Sequence, residues 1–530
     1  MAETTGGAGT PGEPGAEIKA QPGGVAAVAA APIELVFGLT APTGIDLHSV
    51  FDLLKAQLRS VDYEVFEISL SSAILGITGK SDAALSPYAR TDTLIKDGNA
   101  LCRKSGQRDI VGRLGLAAIR ARRESVTGNP DTPSKSKRIA YVVRSFKRKE
   151  EVELYRNIYG KAFTLISVYA SHATRLHSLT KQFQGHAGEN GSTAAELAIG
   201  LINRDYQEDD EPFGQRVGRT FPLGDCFVTS EPRRQLEVEL RRLVRLTLGD
   251  PYISPTKDEQ GMFFAQASAL RSLDLSRQVG AAIISQEGDI LATGCNDVPK
   301  FGGGLYWADD PNCTRDFELG EDSNVSVKVE MIEDALNNLR NQELLSEDAK
   351  KLSDKQLAQS ILFGNKGTFR GAKFYDVIEY GRAVHAEMAA ITQAARTGVS
   401  VRGARLFCTT FPCHICARHL VASGISEVLF IEPYEKSRTG DLYRDSISVE
   451  PHEPSTTRSN FRLFVGVAPR RYIDLFQMAG ERKQDNGKVI DLTTTGLAPK
   501  FRRFVFTYIN VEQQFVTELQ AYLEKAKEIQ

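Results

Sequence analysis

Cysteine is scarce, with seven residues in a chain of 530. The number is odd and the positions scattered, which excludes a disulfide framework and makes a reducing cytoplasm the expected setting. An excess of one charge is missing too. Lys and Arg total 65 against 67 Asp and Glu, a net charge of −2, so the chain lacks the whole-molecule basic footprint of a long-nucleic-acid binder. A long hydrophobic run is also absent from the first part of the chain. The apolar stretch Gly24–Leu39 is short and broken by Pro32 and Glu34, and so is no bilayer span. The beginning carries Glu3 and no basic region of the kind that opens a secretory signal. No membrane partner is expected.

What is present is ordinary globular composition, 41% hydrophobic and 25% charged, in a chain too long for one core. Residues 1–31, rich in Ala, Gly, Pro and Thr, read as a disordered tail. In 32–250, strands alternate with helices: a strand at Ile33–Phe37, a turn at Gly38–Gly44, a helix at Ile45–Ser60, and a strand at Tyr63–Ser69. A long helix is expected over Ala100–Arg123, then strands at Arg138–Ser145, Ala162–Tyr169 and Cys226–Thr229. This alternation predicts an α/β fold with a doubly wound parallel sheet. A second unit is expected over 251–530, with an insertion at about 302–365 and a terminal amphipathic helix near Val511–Lys527.

The chemistry concentrates in His385-Ala386-Glu387 and Pro412-Cys413-His414-Ile415-Cys416. Two cysteines in C-x-x-C at a helix start can face one zinc ion, and a histidine from another helix start completes three ligands. A catalytic zinc keeps its fourth position for water, whereas a structural one closes it. Glu387 can stand beside that water without binding metal and carry its proton to a leaving amine. H-x-E followed by P-C-x-x-C is the signature of zinc nucleobase deaminases. Glu387 is therefore the candidate catalytic residue, with His385, Cys413 and Cys416 as candidate Zn²⁺ ligands. His414 and His419 stand beside the thiolates as competing ligands, while Cys295, Cys313 and Cys408 read as small core residues.

The flanking residues resemble deoxycytidylate deaminases: Ser276-Arg277-Gln278-Val279-Gly280-Ala281, Gly294-Cys295-Asn296, and Val384-His385-Ala386-Glu387-Met388-Ala389-Ala390-Ile391. The resemblance spans about 255–300 and 375–450. It implies a cytidine-deaminase-like α/β/α domain, Asn296 bonding the substrate sugar, and Tyr434 lining the base pocket. The insertion departs from the plain enzyme, and its Gly302–Trp307 segment reads either as a lid over the pocket or as a surface loop.

In the N-terminal half, strand, Gly-rich turn and helix form the layout of a phosphate-binding loop, with Gly38, Thr43 and Gly44 as candidate nucleotide or phosphate contacts. The loop departs from G-x-x-x-x-G-K-[ST]: Ile45 and Asp46 follow Gly44 where Lys and Ser/Thr would stand, and Lys55 or Arg144 would have to substitute. A bound regulatory nucleotide, a purely architectural domain and active phosphoryl transfer all remain open. The half resembles a P-loop kinase-like fold. Joined to a deoxycytidylate deaminase domain, it resembles the bacterial anti-phage dCTP/dCMP deaminases. That resemblance implies deoxycytidine nucleotides as partners, hydrolysis of a C–N bond to give deoxyuridine nucleotides, and antiviral defence by depletion of the dC pool. A homo-oligomer is expected by analogy of fold. The competing readings are a polynucleotide-editing deaminase using Arg402, Arg405, Arg418 and Arg438, and a nucleotide sensor with a retained deaminase scaffold.

Overall fold

Leu35–Thr40 is buried at every position, as a central parallel strand covered on both faces must be. In the computed structural model, which describes residues 34–528 except 135, 186–191, 209–210, 365–376, 434–436, 452, 479, 493–495 and 502–504, this strand is β1. The expected N-terminal tail, 1–31, lies outside the described residues. With β1 run β2 (Tyr63–Ser69), β3 (Arg138–Arg144), β4 (Phe163–Tyr169) and β5 (Cys226–Thr229), all parallel and ordered β5-β4-β1-β3-β2. Helices cover both faces. Leu47–Arg59 and Arg233–Thr247 supply Leu54 and Leu240 to one core, while Ile110–Thr127 and Lys149–Tyr159 supply Ile119 and Ile158 to the other.

Two local expectations change. The turn expected over Gly38–Gly44 begins later, because Gly38 is paired inside β1 with Val143 and Leu165. A Cβ there would lie 2.8 Å from Phe146 and Phe163, so this glycine serves close packing and is not part of a phosphate loop. The helix expected over Ala100–Arg123 is two helices, Pro87–Ser105 and Ile110–Thr127, separated where Gly106 takes a left-handed φ of 69°.

The second sheet holds β6 (Gly280–Ile284), β7 (Ile290–Cys295), β8 (Arg405–Thr410), β9 (Glu427–Glu432), β10 (Ile447–Val449) and β11 (Ser459–Leu463), ordered β10-β11-β9-β8-β6-β7. The run from β10 to β8 is parallel, and β6 is antiparallel to both β8 and β7. Both sheets are thus parallel-rich. The insertion folds largely on itself: Ser323–Asn341 and Asp354–Phe363 pack through Ile332, Leu336, Ala358 and Leu362.

The end of the chain does not stay with the second sheet. Gly466–Val467 (β12) pairs antiparallel with β5, placing it at the edge of the first sheet. The final helix, Val505–Glu528, then lies against Ile110–Thr127, contributing Ile509 and Leu519 to the first half's core. Arg123, fully buried, donates to Glu512 at 2.6 Å and to Glu34 at 2.9 Å. A unit drawn over 251–530 therefore separates this helix from the core it completes. Phe227 of β5 packs with Met262 and Phe464, so the two sheets also share apolar contacts. Among the described residues no helix is long and apolar enough to cross a membrane.

Candidate metal centre and catalytic pocket

His385 is the N-cap of helix Ala386–Thr397, and Cys413 is the N-cap of helix His414–Ala422. Each therefore projects from the point where a loop turns into a helix with free N–H groups. Cys413 Sγ accepts from the Cys416 backbone N–H at 3.5 Å. His385 Nδ1 lies 3.3 Å from Cys413 Sγ and 3.4 Å from Cys416 Sγ. Tetrahedral zinc with ordinary Zn–S and Zn–N bonds would separate such atoms by about 3.5 Å. The three ligand atoms lie within 4.8 Å of one another, and the donor set of one imidazole and two thiols suits zinc. These residues fit the ion.

Without a metal, the ligand atoms share protons among themselves. The Cys416 thiol beside Cys413 holds the Cys413 thiol below its ordinary range. The hydrogen bond with Cys413 pushes the His385 imidazole up to about 9. Glu387 is buried, and its Oε2 lies 3.5 Å from Cys416 Sγ. Burial raises its carboxyl above the usual range, helped by the Cys413 charge, as suits a group that must both take and return a proton.

A cavity of about 430 Å³ opens over these residues, lined by His385, Glu387, Cys413 and Asn296. Asn296 is buried; its Oδ1 accepts from Val279 N–H at 2.7 Å and its Nδ2 donates to the Arg277 carbonyl at 2.8 Å. Its amide is thus oriented by backbone, and Asn296 lines the cavity. Tyr434 lies outside the described residues. Sequence reasoning missed Arg382, which reaches the pocket with Asp316, its partner at 2.8 Å, and Asn324 from the insertion. No local pattern marks them, since the chain brings them together only across the inserted helices.

Other candidates fall away. His414 and His419 are not in the ligand cluster, and His414 Nε2 faces Glu379 at 3.9 Å. Cys295 and Cys408 are core residues as expected, but Cys313 is half-exposed in the insertion. The Gly302–Trp307 segment does not line the zinc-site cavity. It walls a separate one of about 820 Å³ with Arg271 and Arg396, and Trp307 lies under the Arg271 guanidinium at 3.4 Å. Of the arginines counted for polynucleotide binding, Arg405 is buried and paired with Glu427 at 2.7 Å.

The loop after β1 is occupied from within. Thr43 N–H donates to Asp205 Oδ2 at 2.7 Å, and Lys147 Nζ reaches Asp205 Oδ1 at 2.8 Å and the Ala41 carbonyl at 2.9 Å. Gly44, at φ 100°, packs against the Arg175 backbone. The cation at this loop is thus Lys147; Arg144 pairs with Glu67 and Lys55 lies over the Phe51 ring.

Residues 255–432 match the cytidine and deoxycytidylate deaminase zinc-binding region. The deoxycytidylate deaminase of Enterobacteria phage T2 is 40% identical over 65 residues, 12% of this chain and 35% of that protein. The probable deoxycytidylate deaminase of Drosophila melanogaster is 27% identical over 175 residues, 33% of this chain and 58% of that protein. The chain thus matches only part of the length of each curated relative. Among solved structures, dCMP deaminase from the cyanophage S-TIM5, in complex with dCMP and dUMP, aligns at 17% identity with a TM-score of 0.22, covering 40% of this chain and 99% of that one. His385, Cys413 and Cys416, gathered at the start of two helices with Glu387 beside them, all fall within residues 255–432, the part of the chain similar to the cytidine and deoxycytidylate deaminase zinc-binding region.

Proposed function

We propose that the chain is a hydrolytic deaminase of deoxycytidine nucleotides, taking dCTP, dCMP or both to the deoxyuridine nucleotides. The observation that carries this reading is Glu387, buried and next to the three-ligand cluster at the floor of a cavity that Asn296 also lines. His385, Cys413 and Cys416 would hold a zinc ion, which would supply the Lewis acid that makes a water nucleophilic near neutral pH. Glu387 would take a proton from the water as it adds to C4 of cytosine and deliver it to N3, and would then carry the second proton, from the added hydroxyl, to the amino group that leaves as ammonia. Asn296, fixed by Val279 and Arg277, presents its remaining N–H to the sugar. Tyr434 is proposed as a wall of the base pocket. Depletion of the dC pool as defence against phage, a homo-oligomeric assembly and a cytoplasmic setting belong to the same reading. In the first half, the reading retains a regulatory nucleotide. Phosphoryl transfer finds no support in a loop whose Thr43 N–H is already bonded to Asp205.

The test is a panel of dCMP, dCTP, CMP and CTP given to purified, zinc-loaded protein, with uracil products measured. Turnover of the deoxynucleotides is expected. Zinc-replete protein that converts neither dCMP nor dCTP refutes the proposal, and turnover of an oligonucleotide instead favours the polynucleotide alternative.

A further inference from the structure

Beyond the zinc pocket, a cavity lined by both halves lies near the ends of β1, β4 and β5. It measures about 860 Å³, within the range of cavities that hold small ligands. Open parallel sheets bind ligands outside the carboxyl ends of their strands, and here Tyr169 and Thr229, the last residues of β4 and β5, line the cavity with Gly44 from the loop after β1. One side of the cavity is apolar, with Val50, Leu53, Leu236 and Pro451. Another is rich in donors, with Thr174, Ser178, Ser230 and Arg233. Arg233 opens the helix Arg233–Thr247, which starts at Pro232 with no side chain capping its N–H groups and no acid in its first turn.

The second half supplies the remaining wall. Glu450, between β10 and β11, inserts toward β4, where Tyr169 bonds its carboxylate and burial raises its pKa. Arg462 of β11 lines the same space while bonded to Glu427 and Asp258. By contrast the Ala41–Thr43 part of the β1 loop offers no such opening, because Asp205 and Lys147 already satisfy it.

We propose that this inter-sheet cavity binds a nucleoside phosphate, and that it, not the Thr43 N–H of the β1 loop, is the ligand site of the first half. The phosphates lie toward Arg233, Ser230 and the open helix start, the base lies on the apolar side, and the carboxylates of Asp46 and Glu450 face its sugar and amino donors. A ligand there touches both sheets. The inference refines the regulatory-nucleotide part of the function proposed above and does not depend on deamination.

The experiment titrates full-length, zinc-loaded protein with the fluorescent nucleotide mant-ATP and follows anisotropy. Saturable binding is expected, undisturbed by excess dCMP. Ser178→Trp, which fills the cavity, and Arg233→Glu, which reverses its charge, are each expected to weaken binding by about tenfold or more. Lys147→Met, at the β1 loop, is expected to change it by no more than about twofold. Absent saturation at millimolar probe, or unchanged affinity in both cavity variants, overturns the proposal, and loss of binding in Lys147→Met moves the site back to the loop. If Ser178→Trp fails to fold, Arg233→Glu still decides. Displacement by inorganic tripolyphosphate as effective as by ATP refutes recognition of the nucleoside. Zinc content and dCMP turnover are read on the same protein, so mant-ATP binding without turnover counts against the deaminase reading alone.

Discussion

The start of the helix at His385 and the loop after β1 pose the same physical problem and solve it oppositely. Both bring polar groups to a point where a loop enters a helix beside a sheet. At His385, Cys413 and Cys416 the three ligand atoms converge within 4.8 Å of one another, a spacing that suits one ion. At Thr43 the protein's own carboxylate, Asp205, takes the N–H that a phosphate would need, and Lys147 balances it. A motif resemblance counts only while its donors are still free to meet a ligand.

The sharpest way to break this contrast is at Glu387. Glu387→Gln is expected to retain zinc while cutting deamination by about 10²–10⁴-fold, the ordinary span of general acid–base catalysis. Metal analysis and product formation on one preparation check it, and undiminished turnover would sink the assigned role. Cys416→Ser addresses the cluster itself. It is expected to lower zinc affinity by at least about tenfold and activity in proportion, measured by chelator competition.

The first half depends on charges it keeps buried. Glu512→Ala leaves Glu34 as the one carboxylate bonded to Arg123, and is expected to cost about 3–5 kcal/mol in urea unfolding, as breaking a buried pair does. Asp205→Asn keeps the shape of the loop but removes the charge facing Lys147, so about 1–3 kcal/mol is expected, with deamination of dCMP unchanged. The smallest effect is at Asp46. Burial pushes its carboxyl up, but the Ser49 and His48 donors outweigh this and leave it below 3.8. Its folded value is therefore depressed. The stabilisation is present above the unfolded value and is lost as pH falls through the lower folded one. Asp46→Ala is expected to cost about 1 kcal/mol at neutral pH, an N-cap's usual worth, with the difference from wild type fading in acid.

Much of the site was legible because its information is local. The order H-A-E then P-C-x-x-C carries both residue type and spacing, and helix-start geometry follows from spacing alone. The alternation of apolar runs likewise gave the parallel strands of the first sheet. Gly38 was misread because a glycine in an apolar run looks the same whether it turns the chain or admits a ring, and Phe146 and Phe163 come from distant strands and loops. Arg382 and Asp316 carried no signal, since the insertion separates them in sequence.

By itself the sequence determined which side chains can hold a metal and which can carry a proton, because those properties belong to residue type and short spacing. Only the tertiary structure decided which polar groups stay available. It brought Asp205 to Thr43, returned Glu512 to Arg123, and set Glu450 across from Tyr169. Each of these pairs joins residues far apart in the chain, so burial and long-range packing, not local periodicity, determine whether a donor meets a ligand or another part of the protein.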